Sequence, residues 1–273
     1  MTADLPHRVA DLLAAVRAAR PLVHNITNYV VMNPTANALL ALGASPVMAH
    51  AEDEVAEMAA IAGALVLNIG TLSPPWIRAM FKAAESAREH RVPIVLDPVG
   101  AGATRLRTET ARKLLHDFPP DVLRANASEI LSVAGDGGQT RGVDSRHPVE
   151  QARDAAIQLA RKFHITVAVT GPEDFVTDGA KAARIGNGHV LMSRVTGTGC
   201  TASALAGAFC AVEKDAFIAA VASLVVFGIA GEMAARDNPR PGTFQVRVVD
   251  ALDEIQSDHV RVGARVESAA LPE

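Results

Sequence analysis

The sequence is poor in cysteine, in aromatic residues and in surplus charge. Its 273 residues include 2 Cys, 1 Trp and 1 Tyr, and 26 Lys and Arg stand against 30 Asp and Glu, for a formal net charge of −4. So few cysteines exclude a disulfide scaffold and favour a reducing compartment, the cytoplasm. The slight negative charge and the aromatic content of 4% argue against a nucleic-acid partner, which needs a basic surface or stacking side chains.

The sequence predicts neither a signal peptide nor a membrane span. Charges interrupt residues 1–20, which resemble an amphipathic helix more than a secretion signal. The most apolar stretch, residues 216–231, is shorter than the roughly 18 residues that a spanning helix needs. Because it is rich in small residues that pack closely, we expect a buried helix and no membrane partner.

Short β-rich runs alternate with helical stretches along the chain. Continuous apolar runs, typical of strands buried on both faces, end at Asn68, Asp97, Asn126 and Thr170. The first three of these positions follow one another at intervals of 29 residues, about the length of a β–α–β repeat. Since no linker-like segment divides the chain, we expect one α/β domain over residues 1–273, with helices on both faces of a mainly parallel sheet.

Further segments complete the predicted elements. Residues 75–90 and 108–116 have helical composition. Residues 175–179, 182–185 and 189–192 are separated by Gly and Asn turns, and they predict a short antiparallel edge. The polar, Gly-rich residues 135–142 predict a surface loop.

Polar residues stand where the predicted strands end. The carboxyl ends of parallel strands share one edge of the sheet, and ligands bind there. The residues at these ends are Asn25, Asn68, Asp97, Asn126, Thr170 and Thr196. Each of them alone is explained as a cap of the following helix, but six along one edge favour a ligand site.

The strongest chemical signal is a pair of glycines before a stretch of small residues, in Thr196-Gly197-Thr198-Gly199-Cys200. Glycine permits close approach of the backbone to a ligand, and a helix that begins here directs free N–H groups at it. We therefore predict an anion site suited to phosphate, the alternative being a plain turn into a core helix. The run also matches the G-x-G-x-x-A dinucleotide fingerprint, but no strand ending in an acid follows about 20 residues later, and there is no Walker P-loop.

The two cysteines have different predicted roles. Cys200 lies at the predicted helix start, where the pKa of a thiol is lowered, and it is a candidate nucleophile. However, Ala206 stands where the loop of a cysteine phosphatase has arginine. Cys210 lies within the small-residue helix and is expected to be a buried structural thiol.

Two carboxylates stand near the predicted phosphate site. Asp97 ends one strand, and Glu129 follows Asn126 at the end of the next. Mg²⁺ takes few protein oxygens and keeps waters, so this pair suits it. The spacing N-x-x-E equally predicts a helix capping box for Glu129. For Arg124 the sequence allows two roles, a contact with phosphate or an ion pair with Asp121. When Arg124 is considered apart from the other site residues, the surface ion pair is favoured.

Six ordered sequence blocks and the glycine motif carry a family resemblance. The blocks are residues 23–31, 44–49, 67–72, 96–101, 124–130 and 142–145, and the glycine motif covers residues 197–200. Together they resemble the hydroxyethylthiazole kinases of thiamine salvage, within the ribokinase-like superfamily, from Pro21 to about Leu252. Most of that superfamily has Asp where Cys200 stands, and the Cys form is typical of the thiazole kinases.

The resemblance implies a three-layer ribokinase-like fold and a kinase reaction. The expected reaction is ATP-dependent phosphorylation of the primary hydroxyl of 4-methyl-5-(2-hydroxyethyl)thiazole, with Mg²⁺. By the same resemblance, Met48 and Gly197 contact the thiazole and Asn25 lies near it. Arg124 and Thr170 contact ATP.

The resemblance also assigns the remaining site residues. Asp97 and Glu129 serve the metal and the phosphates, and Cys200 takes the base position. The chemistry of the residues themselves is compatible with this, since the N–H groups around Gly199 would hold the charge that develops on the transferring phosphoryl group. Phosphoryl transfer through a loose transition state needs only weak assistance from a base, so a thiol can replace the carboxylate that relatives have at this position. The family forms homotrimers with active sites between subunits, and we expect the same here.

Two other functional classes stay open on the sequence. One is a relative in the superfamily that uses ADP or ATP for dehydration, although its pattern retains Asp at the position of Cys200. The other is a non-catalytic sensor of nucleotide or thiazole, because binding residues and catalytic residues overlap. Turnover of ATP with and without the thiazole alcohol separates all three classes.

Overall fold

The computed structural model describes residues 5–135 and 148–271, with the side chains of the second range from residue 151 onward. Nine strands form one sheet in the described residues. In chain order they are β1 Leu22–Ile26, β2 Ser45–Val47, β3 Ala64–Asn68, β4 Ile94–Asp97, β5 Val122–Asn126, β6 Thr166–Thr170, β7 Asp174–Thr177, β8 Ala182–Ile185 and β9 Val266–Ala269.

The α-helices lie between and after these strands. They are α1 Leu5–Ala19, α2 Met32–Leu42, α3 Val55–Ile61, α4 Pro74–Glu89, α5 Arg105–Asp117, α6 Ala127–Ala134, α7 Pro148–Phe163, α8 Thr198–Cys210, α9 Ala216–Ala234, α10 Pro241–Glu254 and α11 Ser257–Gly263. A 3₁₀ helix spans Val190–Arg194. The helices predicted over residues 75–90 and 108–116 are confirmed as α4 and α5. The helix predicted over residues 1–20 is confirmed as α1 from Leu5 to Ala19, and residues 1–4 lie outside the described residues.

The sheet has the order β2-β1-β3-β4-β5-β6-β7-β8-β9, and it is parallel from β2 to β6 and antiparallel from β6 to β9. The predicted mainly parallel sheet with a short antiparallel edge is confirmed. Asn68 is paired with Asp97, and Asn126 with Thr170. The register therefore brings these polar strand ends to one edge of the sheet.

Helices cover both faces and give three layers. One apolar core packs α1, α2, α8, α9 and α10 on one face, and the other packs α3 to α7 on the opposite face. Helices α8 and α9 are apolar on all sides because they lie between the sheet and an outer helical layer. Helix α9 is long and apolar enough to cross a membrane, but 89% of its apolar window is buried within the fold. The expectation of a buried helix is confirmed.

Three details of the sequence interpretation change. The strand predicted over residues 189–192 is wrong: the main chain turns into the 3₁₀ helix because His189 accepts hydrogen bonds from Leu191 N at its ring (3.2 Å) and from Met192 N at its carbonyl (2.9 Å). Thr196 does not end a strand, since it lies between that helix and α8. Of the predicted loop 135–142, Gly135 caps α6, and the remainder lies outside the described residues, as does the block 142–145.

Candidate active site

The N-terminus of α8 has the form of an anion site. Gly197 is its N-cap residue with φ +88°, and no side chain caps the helix. The first N–H groups of a helix have no acceptor within it, so those of residues 198–200 are open to a ligand. A Cβ on Gly197 would lie 2.7 Å from Val31 Cγ1. Both the positive φ and this close contact require glycine at the helix start.

A chain of amides connects Cys200 to Asp97. Asn28 Nδ2 donates to Cys200 Sγ at 3.4 Å and to Asn68 Oδ1 at 2.9 Å. Asn68 Nδ2 in turn donates to Asp97 Oδ2 at 2.9 Å. The sequence placed Asn68 at the polar edge but assigned no role to Asn28, although Asn28 lies two residues after the end of β1. The helix start and two strand ends therefore form one polar network.

Asp97 is fully buried and lies at the centre of this network. Its Oδ2 also accepts from Ser203 Oγ at 2.8 Å, and its Oδ1 lies 3.6 Å from Arg124 Nη1 without a hydrogen-bond partner. Burial raises the pKa of Asp97 to about 6, although the Arg124 charge opposes the rise. Sequence reasoning missed Ser203, whose only signal is a hydroxyl one helical turn after Gly199.

Arg124 faces the network and not the surface. Its side chain is buried, and its guanidinium donates a short hydrogen bond to Thr170 Oγ1. A Cβ on Gly199 would lie 2.8 Å from Arg124 Nη1, so the guanidinium packs directly against the start of α8. The surface pair with Asp121 is wrong, because Asp121 accepts from Ile94 N at 2.8 Å instead. Because Arg124 lies near the end of β5, its guanidinium reaches the predicted phosphate site at the start of α8.

Glu129 forms the predicted capping box. Its backbone N–H donates to Asn126 Oδ1 at 2.9 Å, and its Oε2 accepts from Asn126 N at 3.0 Å. Its Oε1 accepts from Gly100 N at 2.8 Å, in the loop after Asp97. The capping interpretation is therefore confirmed, and the same carboxylate also fixes the loop that follows β4.

The carboxylates also fit a magnesium ion held largely by water and phosphate. Within the residues that the structure describes, no group of three or more His, Cys, Asp and Glu side chains could hold a metal. Asp97 Oδ1 is a buried carboxylate oxygen without a hydrogen bond, and each Glu129 oxygen accepts a single N–H. Mg²⁺ typically takes one or two carboxylates and fills its other positions with waters and substrate phosphates.

The expected low pKa of Cys200 is wrong. Burial and the nearby Asp97 charge raise the pKa of this thiol, although Asn68, Asn28 and Arg124 partly oppose the rise. The thiol is therefore protonated at neutral pH. Burial also raises the pKa of Cys210, which is the buried structural thiol that the sequence predicted.

A cavity of about 460 Å³ opens beside the anion site. Arg124, Thr170, Thr198 and Gly199 line it, together with an apolar surface of Val190, Met192, Ala202, Leu224 and Phe227. This volume lies in the range of small-molecule and cofactor sites. Asp174 also lines the cavity, and burial raises its pKa to about 6; the sequence did not predict it as a site residue.

Met48 and Asn25 do not line this cavity. Met48 follows edge strand β2, and buried Asn25 lies in β1 with its Oδ1 unpartnered. His50, two residues after Met48, stacks on Trp76 with ring centroids 4.2 Å apart. Gly197 lines a second, smaller cavity of about 30 Å³.

Comparisons with known proteins agree over nearly the whole chain. Residues 13–258 match the family model described as "HK: Hydroxyethylthiazole kinase family". The hydroxyethylthiazole kinase of Oleidesulfovibrio alaskensis is 53% identical over 258 residues, which cover 94% of this chain and 97% of that protein. The hydroxyethylthiazole kinase of Pyrococcus abyssi is 54% identical, over 94% of this chain and 97% of its own length.

Solved structures extend the similarity to the fold. The structure of hydroxyethylthiazole kinase from Pyrococcus horikoshii OT3 has a TM-score of 0.90 and 49% identity, and the match covers 96% of this chain and 99% of that one. Pyridoxal kinase from Staphylococcus aureus, in complex with AMP-PCP and pyridoxal, has a TM-score of 0.60 at 16% identity, over 91% of this chain and 98% of that one. The second likeness shows the shared ribokinase-like fold alone.

Proposed function

The chain belongs to the hydroxyethylthiazole kinase family, and we propose that it transfers the γ-phosphoryl group of ATP to the primary hydroxyl of 4-methyl-5-(2-hydroxyethyl)thiazole. The observation that carries this function is the open N-terminus of α8, with Arg124 packed against Gly199 beside a cavity of about 460 Å³. Phosphoryl transfer depends mainly on positioning and on neutralisation of charge. Free helix N–H groups and a buried guanidinium supply both.

We propose that ATP occupies this cavity. Arg124 and Thr170, which are hydrogen-bonded to each other, would contact its phosphates, and the N–H groups at Gly197 and Gly199 would hold the transferring phosphoryl group. The adenine would pack on the apolar lining, since ligand sites combine apolar walls with a few polar groups. This arrangement leaves the amide network on the acceptor side of the helix start.

We propose that Asp97 and Glu129 hold Mg²⁺ through one direct oxygen or through water. When bound, the ion would neutralise charge on the phosphates of ATP. Asp97 Oδ1 supports the proposal because it is buried without a hydrogen-bond donor. Glu129 supports it less directly, by fixing the loop after Asp97 through Gly100.

We propose that Cys200 orients the acceptor hydroxyl more than it removes the proton. Its raised pKa keeps the thiol neutral, and Asn28 donates to the sulfur, so the thiol can accept one hydrogen bond and donate another. The thiazole ring would lie toward Met48, Asn25 and Gly197. The unpartnered Asn25 Oδ1 near the end of β1 is consistent with a polar ligand there.

Turnover of ATP tests the proposed function against its alternatives. ADP formation that requires the thiazole alcohol, with one phosphorylated thiazole by mass spectrometry per ADP, is the expected result. If ATP is consumed with a hydrated substrate that loses water, and no ADP forms with the thiazole alcohol, the protein belongs instead to the dehydratase class. Binding of Mg-ATP or thiazole without turnover would identify a sensor. NAD, in contrast to Mg-ATP, is expected to leave the melting temperature unchanged.

We propose a cytoplasmic homotrimer of single-domain subunits. The single sheet through the described residues supports one domain, and two free cysteines support a reducing compartment. Apolar side chains at the β2 end of the sheet are exposed, among them Tyr29, Val30, Leu40 and Ile61. Exposed apolar surface of this kind favours self-association. Light scattering of a stable, fully active monomer would contradict the trimer and the shared site.

A further inference from the structure

One wall of the cavity is hydrogen-bonded to residues that do not themselves line the cavity. Asn187, Gly188 and His189 line the cavity within residues 186–189, here called the wall segment. The Asn187 side chain is buried, and the C-terminal part of the chain supplies partners for its amide atoms. Its Nδ2 donates to Gly263 O at 2.9 Å, and its Oδ1 accepts from Arg265 N at 2.8 Å. This asparagine is therefore committed to the C-terminal part of the chain and not to a ligand.

Glu232 accepts two further hydrogen bonds from the wall segment. Its Oε1 accepts from Gly188 N at 2.8 Å and from Asn187 Nδ2 at 3.1 Å. Arg265 completes the arrangement: its Nη2 lies 2.6 Å from Glu232 Oε1 and 2.6 Å from Gly186 O, and its Nη1 lies 3.2 Å from Glu232 Oε2. The Glu232–Arg265 pair thus joins α9, the wall segment and the turn before β9 in one cluster.

The backbone of the wall segment also rests directly on α9. A Cβ on Gly228 would lie 2.8 Å from the carbonyl carbon of Asn187. This contact leaves the segment no space to settle closer to the helix at that point. If the Glu232–Arg265 pair is lost, the segment can therefore shift away from α9, toward the cavity or the solvent, more easily than toward the helix.

We infer that the Glu232–Arg265 pair is a positioning pair for nucleotide binding, so that the C-terminal turn and strand complete the ATP site. The inference rests on the proposed function, because it takes the cavity as the place of ATP. Loss of the Glu232 carboxylate removes the acceptor of the half-buried Gly188 N–H and of one Asn187 N–H, and an unpaired donor favours any arrangement that gives it a new acceptor. The wall segment is then held by fewer bonds, and the nucleotide loses part of a preformed surface.

Kinetics of Glu232→Ala test the inference. We expect KM for ATP to rise about tenfold, the equivalent of about 1.4 kcal/mol, with KM for the thiazole alcohol and kcat near their wild-type values. Glu232→Gln keeps an acceptor oxygen at Gly188 and should show a smaller rise, which provides a readout if the alanine variant folds poorly. The dissociation constant of Mg-AMP-PCP by calorimetry should rise by the same factors as KM.

Glu213→Ala is the matched control. Glu213 also pairs with an arginine, at 2.8 Å from Arg8, and accepts a backbone N–H, from Asp215, but it lies in the turn between α8 and α9 and lines neither of the two cavities described above. Its KM for ATP and its affinity for Mg-AMP-PCP should equal those of wild type. A second check is Arg265→Ala, which should also raise KM for ATP. In the Glu232→Ala/Arg265→Ala double variant, the factor by which KM for ATP rises should be well below the product of the two single-variant factors.

The outcomes separate the inference from the function on which it rests. Failure of the wild-type protein to phosphorylate the thiazole would refute the proposed function, whatever the variants do. If wild type turns over and folded Glu232→Ala binds Mg-AMP-PCP with unchanged affinity, the positioning inference is wrong. Equal changes in both KM values and in the Glu213 control would point to general loosening of the fold and would also overturn it.

Discussion

The contact between Gly199 and Arg124 makes Gly199→Ala a sharp test of the phosphate site. The φ angle of Gly199 is not positive, so alanine meets no backbone strain there. The new Cβ would lie 2.8 Å from Arg124 Nη1 and 3.0 Å from Nη2, whereas ordinary contacts begin at 3.4 Å. Because the guanidinium is buried between Thr170 and Asp97, it must shift out of its present position to make room.

The size of the effect follows from the hydrogen bond to phosphate that a displaced Arg124 gives up. Hydrogen bonds to charged groups contribute about 1.5–3 kcal/mol, which corresponds to a loss in kcat/KM for ATP of about tenfold to a hundredfold. The free energy of unfolding should fall by less, because the strain at Arg124 is partly offset by the preference of a helix for alanine over glycine, roughly 0.5–1 kcal/mol. Gly199→Val adds more atoms at the same contact and is expected to abolish turnover in a folded protein.

Steady-state kinetics and thermal melting of the same samples check both effects. Gly242→Ala is the control, because this helical glycine in α10 has no atom within 4 Å of its Cβ position. It should keep the wild-type kcat/KM and melt at the wild-type temperature or slightly above it. Wild-type kinetics for Gly199→Ala, with the protein folded, would refute both the steric reasoning and the assignment of Arg124 to phosphate.

Other predictions concern the polar network around Asp97. The pKa of Asp97 is raised to about 6, so kcat/KM for ATP should fall as the pH drops below about 6 and the carboxylate is protonated. Ser203→Ala removes a donor to this carboxylate and should move the acid limb about one pH unit higher, whereas Ser86→Ala, a buried helical serine in α4, should leave it in place; an unmoved limb in Ser203→Ala would contradict the assignment. Cys200→Ala should lose activity toward the low end of the roughly 10²–10⁴-fold range of acid–base groups, and Cys200→Asp should stay active. A folded but inactive Cys200→Asp, with a covalent adduct on wild-type Cys200 by mass spectrometry, would identify a nucleophile instead.

Local signals in the sequence were sufficient for much of the fold and part of the site. Continuous apolar runs indicate buried strands, so the strand ends at Asn68, Asp97, Asn126 and Thr170 were predictable. Capping is also local: Asn126 and Glu129 form their box within four residues. The start of α8 was predictable because two glycines directly before a run of small residues are typical of a helix N-terminus that binds an anion. Strands β2 and β9 were missed, since three or four residues at a sheet edge carry little periodicity.

The sequence by itself determined most of the strands and helices, and most of the polar residues at their ends, because these properties depend largely on neighbours along the chain. Only the tertiary structure decided the chemistry of those residues. Ser203 reaches Asp97 across 106 positions of sequence, and Glu232 meets Arg265 across 33. The pKa of Cys200 is the clearest case: the helix start alone predicted a lowered value, but burial and the Asp97 charge raise it. Desolvation and through-space charge depend on the packed surroundings, which local sequence does not specify.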